Sequence, residues 1–600
     1  MDEGPPPGAA LFLCAVSDAI EWSEGGPPRS RQFGDLYFSA EDGLDETRLV
    51  FLEGCGLPGA WRGRRAFTVA ELGFGTGLNI AALLDLWARE GPPEGQLSIF
   101  SLEAFPMDAA DAARALSRWP ALAPVAGLLI ERWPGRARGF HRVDLPELRA
   151  TLDLAVMEAG EALSAWSGTA DAWFLDGFAP ALNPDMWRAE VLALVTARSA
   201  PGARLATYSA AGEVRRGLAA AGFEITRAPG FGRKRHRLEG SLPGERPESP
   251  PPRVAIVGAG VAGASLARAF ADLGATAQIF AAHAAPASAG PAALVAPRLD
   301  AGLAAPAALF AQAFARARQV FTATPGAVLS QGALQLEIGP KDARRFAAIA
   351  GSALFQPGAM RLVDAAATSA CLGETAPAAL EVSEALVVDP TPLLAAEKIT
   401  ATVDRLQHTD GVWRLADAAG ETIAEAEVVC VAAGMASARL VPELPLRPVR
   451  GQASFAPGAH FPTTALFGAW AAPAPGGVLF GSTHDRDDED VDERADDHRR
   501  NLAAVAAVLP DLARRLEASR LTARVGLRAT TPDYLPLAGR AGPGLFLLTG
   551  LGSRGFTLAP LLAEHVAASA LGRPSPLPAP LVELVDPGRF ARRAARKGRQ

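Results

Sequence analysis

The clearest pattern along the chain is a short apolar run that ends on a glycine-rich turn and leads into a longer stretch with apolar positions three and four apart. Phe67-Thr-Val-Ala-Glu-Leu72 reads as a strand, Gly73-Phe-Gly-Thr-Gly77 as a turn, and LNIAALLDLWARE from Leu78 as a helix. The same succession returns at Val254-Ala-Ile-Val257, Gly258-Ala-Gly-Val-Ala-Gly263 and Ala264 to Leu273. Further apolar strands are predicted at Leu97–Leu102, Ala172–Leu175, Thr276–Phe280, Glu427–Val431 and Leu545–Thr549, the last followed by a helix from Phe556 to Ala570. Strands alternating with helices predict an α/β fold, here in two Rossmann-like units.

Between the units runs EGSLPGERPESPPPR, Glu239 to Arg253, rich in proline, serine and charge and without apolar periodicity. It reads as a linker or exposed loop. The expected domains are 1–240, a linker at 241–253, and 254–600. An inserted antiparallel substrate region is expected from about Ala323 to Ala529. The acidic run DRDDEDVDERADD, Asp485 to Asp497, reads as a solvated loop or helix start.

At 600 residues the chain exceeds a single small domain, and 49% hydrophobic composition excludes a disordered one. The net charge of -7 excludes an overall basic coat for nucleic acid. Two local basic clusters remain: Arg233-Lys-Arg-His-Arg237, and a tail holding Arg589, Arg592, Arg593, Arg596, Lys597 and Arg599. Either is a solvated surface or a phosphate contact. Cys14, Cys55, Cys371 and Cys430 are far apart, which suggests neither a metal site nor a disulfide framework. The acidic, proline-rich start from Met1 to Pro7 lacks the marks of a signal peptide, and no run of about 20 apolar residues offers a membrane span. The expectation is a soluble, cytoplasmic protein with no membrane and no metal.

The first turn has the spacing Glu71-x-Gly73-x-Gly75-x-Gly77. It is neither GxGxxG nor a P-loop. It resembles the cofactor loop of class I S-adenosylmethionine-dependent methyltransferases. Two later strands end in acids, Glu103 and Asp176. Ligands of open α/β sheets sit beyond the carboxyl ends of the strands, so Gly73, Glu103 and Asp176 should converge there. Glu103 would accept from both ribose hydroxyls, and Glu158 from the adenine amine. A capping acid, a turn residue and a surface acid are the respective alternatives for Glu103, Asp176 and Glu158.

Four strings carry a closer resemblance: RQFGDLYF (Arg31 to Phe38), ELGFGTGLN (Glu71 to Asn79), WFLDGFAPALNPDMW (Trp173 to Trp187) and GFGRKR (Gly230 to Arg235). They resemble the bacterial bifunctional tRNA 5-methylaminomethyl-2-thiouridine biosynthesis proteins, and the likeness runs through nearly the whole chain. It implies an N-terminal class I methyltransferase acting on the 5-aminomethyl group of a wobble uridine in tRNA. Asp176 would then orient the amine and favour loss of its proton. Phe178 and Trp187 would offer a face to the uracil, with core packing the alternative for both.

The second turn, Gly258-x-Gly260-x-x-Gly263, follows a strand and opens a helix, as a dinucleotide site requires. The acid expected about 20 residues on is missing, since the next strand runs into Ala281-Ala-His283. The turn near the C-terminus, with Gly550, Gly552, Ser553 and Arg554, resembles the flavin end of D-amino-acid and glycine oxidase-type enzymes. This resemblance implies FAD and a C-terminal Rossmann-type oxidoreductase with an antiparallel substrate subdomain. VGLRATTPDYLP, Val525 to Pro536, resembles the segment whose arginine, here Arg528, faces the flavin and binds a substrate carboxylate; a structural salt bridge is the alternative. Arg450, in PVRGQ, reads as structural. The implied reaction oxidises 5-carboxymethylaminomethyl uridine to the primary amine that the other unit methylates. The rival readings are a glycine- or sarcosine-type oxidase fused to a small-molecule amine methyltransferase, and a tRNA-binding scaffold with decayed sites.

Overall fold

The computed structural model describes residues 20–232, 234–248 and 250–597. Of the features named above, Met1 to Pro7, Cys14, Arg233 and Arg599 lie outside them, as does the side chain of Lys597. The chain divides into two compact units, Met1–Ser249 and Pro250–Gln600.

The first unit is built on an eight-stranded sheet. Its strands are β1 (Ala66–Leu72), β2 (Gln96–Leu102), β3 (Gly139–Leu145), β4 (Ala150–Val156), β5 (Ala170–Leu175), β6 (Ser199–Thr207), β7 (Glu224–Pro229) and β8 (His236–Ser241). They lie in the order β3-β4-β2-β1-β5-β6-β8-β7. The five from β4 to β6 are parallel, and β3, β8 and β7 pair antiparallel. The middle strands are buried along nearly their whole length, as a parallel sheet covered on both faces demands. Trp61, Trp87, Trp166 and Trp173 are fully buried in this unit. Two helices bear on the site, α1 (Gly43–Thr47) and α2 (Leu78–Glu90). The strand order reverses at β1, so the crevice opens beyond the carboxyl ends of β1, β2 and β5.

The segment expected to be a linker begins inside this sheet. Glu239, Gly240 and Ser241 are ladder residues of β8, opposite Ala206, Leu205 and Arg204 of β6. Leu238 and Gly240 face the core and Glu239 the other side, so the strand has too few apolar positions to show a period. The order continues past the strand: the Leu242 amide donates to Ala203 O at 2.9 Å, and Arg64 Nε donates to Glu248 at 2.9 Å.

The second unit has a Rossmann-type sheet of β9 (Val254–Val257), β10 (Ala277–Ala281), β11 (Ile399–Thr400), β12 (Val428–Val431), β15 (Leu537–Gly542) and β16 (Leu545–Thr549), in the order β11-β10-β9-β12-β16-β15. Beside it lies a ten-stranded sheet that includes β13 (Arg447–Pro457) and β14 (Thr522–Thr530), paired antiparallel. The helix α3 (Val261–Asp272) starts three residues earlier than expected, because Gly260 is already its N-cap. The helix α4 (Gly555–Ala570) follows a single 3-10 turn at Gly552–Arg554.

Two readings need correction here and one, of the acidic run, a refinement. The stretch from Ala323 to Ala529 is not one antiparallel insertion: β11 and β12 return to the Rossmann sheet within it, and Val328–Leu336 pairs parallel with Thr464–Leu466. The acidic run is the exposed loop and helix start expected, with the helix Ala495–Ala506 beginning inside it, but its last residue is not solvated: Asp497 is 1% exposed and pairs with the fully buried Arg450, while Asp485 pairs with Arg500 and Asp488 with Arg494. The buried Arg450 needs such a partner, which Asp497 supplies. The basic tail is a helix, α5 (Arg589–Lys597), whose start is docked. Arg589 is 2% exposed and bonds Asp533 at 2.9 Å, Arg593 joins the same carboxylate at 2.6 Å, and Arg592 pairs with Asp586.

Candidate functional site

A cavity of about 450 Å³ lies at the carboxyl ends of β1, β2 and β5. Gly73, Gly75, Glu103, Glu158 and Asp176 all line it. Gly73 has φ +80, and a Cβ there would meet the Gly177 Cα at 3.3 Å, so the lack of a side chain at Gly73 lets the turn after β1 pack against the turn after β5. Glu103 accepts from the Gly75 amide at 3.1 Å and from the Phe105 amide at 3.0 Å, and burial raises its proton affinity. One bond on each oxygen fixes the carboxylate and leaves lone pairs on both. Glu158 is exposed at the head of the helix Ala159–Ala165.

Two residues of the ExGxGxG string are not in the cavity wall. Gly77 is the N-cap of α2, and a Cβ there would meet Trp133 at 3.1 Å. Glu71 is fully buried beneath the turn. It accepts from Ser101 Oγ at 2.6 Å and from Asn79 Nδ2 at 3.0 Å. The second hydrogen of Asn79 Nδ2 goes to Asp176 Oδ2 at 2.7 Å, and Asn79 Oδ1 accepts from Thr47 Oγ1 at 2.7 Å. Glu71 therefore aims Asn79, and Asn79 aims Asp176. Burial pushes the Asp176 carboxyl up to about 7, against the bonds from the Gly177 amide and Asn79.

The RQFGDLYF segment forms the facing wall. Asp35 accepts from the Ala179 amide at 2.9 Å, and Phe33 stacks on Phe178 with centroids 4.8 Å apart. Tyr37 meets Phe178 edge-on at 5.3 Å. Phe178 is thus a cavity aromatic, but Trp187 is not: it is 6% exposed in the core and its Nε1 donates to Phe178 O. The uracil face assigned to Trp187 is withdrawn. The tight wall around Gly73, with Glu103 beyond it, fits a nucleoside-bearing methyl donor.

In the second unit, a Cβ at Gly258 would meet Ala432 O at 2.4 Å, and one at Gly263 would meet Gly258 O at 1.8 Å. The turn, β12 and α3 pack with no room for side chains, the close backbone approach that a pyrophosphate site at the amino end of α3 requires. The Val261 amide donates to Ser288 Oγ at 3.0 Å. Beyond β10, His283 is exposed and the ribose acid is lacking. At the other end, Gly550 (φ +71) and Gly552 (φ +57) lead toward α4, with Ser553 exposed. Arg554 Nη1 donates to Ala296 O at 3.1 Å and to Pro297 O at 3.3 Å, and burial pushes its guanidinium down to about 10. These residues fit a dinucleotide flavin, apart from the ribose acid.

Arg528, on β14, donates to Thr483 O at 3.1 Å and to Ser482 Oγ at 2.7 Å. Its guanidinium lies across Gly451, where a Cβ would come within 2.0 Å of Nη1. Burial pushes it down to about 10, and none of the ion pairs among the described residues involves it. The salt-bridge alternative for Arg528 therefore fails, while Arg450 on the neighbouring strand has such a bridge.

Sequence reasoning missed Asn79, Ser288, Ser482 and Thr483, and it placed Lys234 only in a basic cluster. Asn79 was within reach, as the last residue of ELGFGTGLN on the first turn of α2. Among the described residues no group of three metal-ligating side chains is present, and no helix is long and apolar enough to cross a membrane.

A family model described as S-adenosyl-L-methionine-dependent methyltransferase matches residues 120–243, and one described as FAD dependent oxidoreductase matches residues 253–569. The chain is 57% identical over 593 residues to the tRNA 5-methylaminomethyl-2-thiouridine biosynthesis bifunctional protein MnmC of Caulobacter sp. (strain K31), covering 97% of this chain and 99% of that relative. It is 41% identical over 601 residues to the protein of the same name from Maricaulis maris (strain MCS10), covering 97% of each. Among solved structures, iminodiacetate oxidase from Chelativorans sp. BNC1 aligns at 23% identity over 56% of this chain and 99% of its own, with a TM-score of 0.48.

Proposed function

The chain belongs to the family of tRNA 5-methylaminomethyl-2-thiouridine biosynthesis bifunctional proteins, and from that premise we propose how its residues divide the work. It is a bifunctional enzyme of wobble-uridine modification. One activity is FAD-dependent and removes the carboxymethyl group from 5-carboxymethylaminomethyl-(2-thio)uridine; the other is S-adenosylmethionine-dependent and methylates the resulting 5-aminomethyl group. We assign methyl transfer to the first unit, residues 1–249, and oxidation to the second, residues 250–600, and place both in the cytoplasm.

In the methyltransferase unit, Gly73, Gly75, Glu103 and Glu158 hold the methyl donor, with Glu71 and Gly77 shaping the loop from behind. Methyl transfer from a sulfonium is an in-line displacement, so alignment supplies most of the rate. The acceptor amine must lose its proton before it attacks. Asp176, held by Asn79 and poised near neutrality, orients the amine and takes that proton. Phe178, backed by Phe33, offers a stacking face for the uracil.

In the oxidoreductase unit, Gly258, Gly260 and Gly263 leave backbone room for the pyrophosphate, and Gly550, Gly552, Ser553 and Arg554 stand at the flavin end. Bound FAD supplies the two-electron acceptor for hydride from the glycine-like carbon, after which the substrate imine hydrolyses to glyoxylate and the primary amine. Arg528 grips the substrate carboxylate with its planar fork. The observation that carries this assignment is a desolvated guanidinium that bonds only a carbonyl and a hydroxyl. Of the basic clusters, the exposed Arg235 and Arg596 are left to meet tRNA phosphates, because Arg237, Arg589, Arg592 and Arg593 are engaged by acids of the chain.

Separation of function tests the assignment. Asp176→Ala is expected to stop wobble nucleosides at the 5-aminomethyl stage, with methylation down by about 10²-fold and oxidation unchanged. Arg528→Ala is expected to stop them at the 5-carboxymethylaminomethyl stage while FAD is retained. Wild-type product ratios from either variant would remove that residue from its role.

A further inference from the structure

One charge pair in the methyltransferase cavity has no part in the roles above. Glu46 stands on α1, and Lys234 lies on the turn between β7 and β8, 188 positions away in sequence. Glu46 Oε1 and Lys234 Nζ are 3.1 Å apart. Lys234 Nζ also sits 3.7 Å from the centroid of the Tyr208 ring, and the Tyr208 hydroxyl donates to Gly177 O, one residue from Asp176. Glu46, Lys234 and Tyr208 line the same cavity as Asp176.

We propose that Glu46 and Lys234 are positioning residues for methyl transfer, an opposed charge pair that sets the proton affinity of Asp176 from across the acceptor end of the cavity. The proposal rests on the reading of Asp176 as the group that receives the amine proton. Its physical basis is simple. A carboxyl taken out of water holds its proton more tightly, and nearby charges then move that balance in either direction. The Glu46 carboxylate opposes a negative Asp176, and the Lys234 ammonium favours it. Both act on top of the burial that brings Asp176 close to neutrality, where a proton acceptor works best at physiological pH, and they act in opposite directions. Other groups face it as well. Glu71 reaches it from β1 through Asn79, Asp35 stands on the RQFGDLYF segment, Glu103 ends β2, and the exposed Arg188–Asp185 pair lines the cavity. Glu71 and Asp176 carry the same sign and repel, whereas Glu46 and Lys234 act on Asp176 with opposite signs, which gives the proposal a signed test.

The test is the pH profile of single-turnover methylation of 5-aminomethyluridine tRNA by the full chain, from about pH 5.5 to pH 9. The rate should rise with pH through the titration of Asp176. Glu46→Gln should move the midpoint of that acidic limb down by about half a pH unit or more, and Lys234→Met should move it up by a similar amount. Lys234→Arg should restore the wild-type midpoint, and apparent affinity for S-adenosylmethionine should hold in all three. A uniform fall in rate with no movement of the limb, or movement of both variants in the same direction, would reduce the pair to a structural brace and overturn the proposal. Asp176→Asn separates the two layers. Loss of the limb in Asp176→Asn with no shift in the charge variants defeats the proposal alone. Persistence of the limb in Asp176→Asn defeats the reading of Asp176 and the proposal with it.

Discussion

Arg450 and Arg528 sit on adjacent, hydrogen-bonded strands of one sheet, yet their surroundings are opposite. Arg450 is closed in by Asp497 and by the carbonyls of Asp490 and Asp492, and removing one member of such a buried pair costs about 3–5 kcal/mol. Arg528 bonds a carbonyl and a hydroxyl, and no acid among the described residues pairs with it, although Asp485 lies near enough to act on its charge. A carboxylate that docks on it gains charge-assisted bonds worth about 1.5–3 kcal/mol. Arg528→Lys should therefore reduce the flavin faster than Arg528→Ala but slower than wild type, because an ammonium lacks the fork that pairs two oxygens. Rapid-mixing measurements of flavin reduction by carboxymethylaminomethyl tRNA check this order; equal rates for lysine and arginine would show that charge alone is read. At this scale the sequence made the strand-end acids legible, since a strand followed by an acid predicts a side chain in the crevice. It left the role of Lys234 illegible, because its partner Glu46 is 188 positions off in the chain, and that of Asn79 half-legible, with Glu71 in the same string but Asp176 far from it.

The glycine turns are elements whose function is their lack of side chains. Gly263 is the sharper case: α3 passes so close to the turn that a Cβ would lie 1.8 Å from the Gly258 carbonyl. Gly263→Ala must push the helix off the turn, an overpacking cost of about 1–3 kcal/mol. The expected result is a fall of about tenfold or more in FAD affinity, read by flavin content after dialysis, with methylation unaffected. Full flavin retention would mean that the helix can shift without cost to the pyrophosphate site. Strand, turn and helix succeeded one another as the hydrophobic pattern predicted, because a parallel sheet buried on both faces writes its strands as apolar runs. The pattern failed at β8, whose single large apolar side chain, Leu238, leaves no period in the sequence. In the acidic run it gave the exposed loop and helix start but not the ion pairs to Arg450, Arg494 and Arg500.

Across the whole molecule, each unit has its own sheet and its own core, and the chain contacts divide at Ser249 and Pro250. A fragment of residues 1–249 keeps β8 and the Arg64–Glu248 contact, and it should fold and methylate 5-aminomethyluridine tRNA. A fragment ending at Arg235 lacks β8, the strand that joins β7 to β6, and should not. Methylation by the shorter fragment at the rate of the longer one would show that β8 is dispensable.

The central claim is that one chain performs two successive reactions on one wobble side chain. It is tested most directly by mass spectrometry of the wobble nucleoside after tRNA carrying 5-carboxymethylaminomethyl-2-thiouridine is incubated with the FAD-loaded protein. Without S-adenosylmethionine the nucleoside should accumulate as 5-aminomethyl-2-thiouridine, and with it as 5-methylaminomethyl-2-thiouridine. A nucleoside left unchanged in both arms, while free glycine is oxidised, would contradict the account.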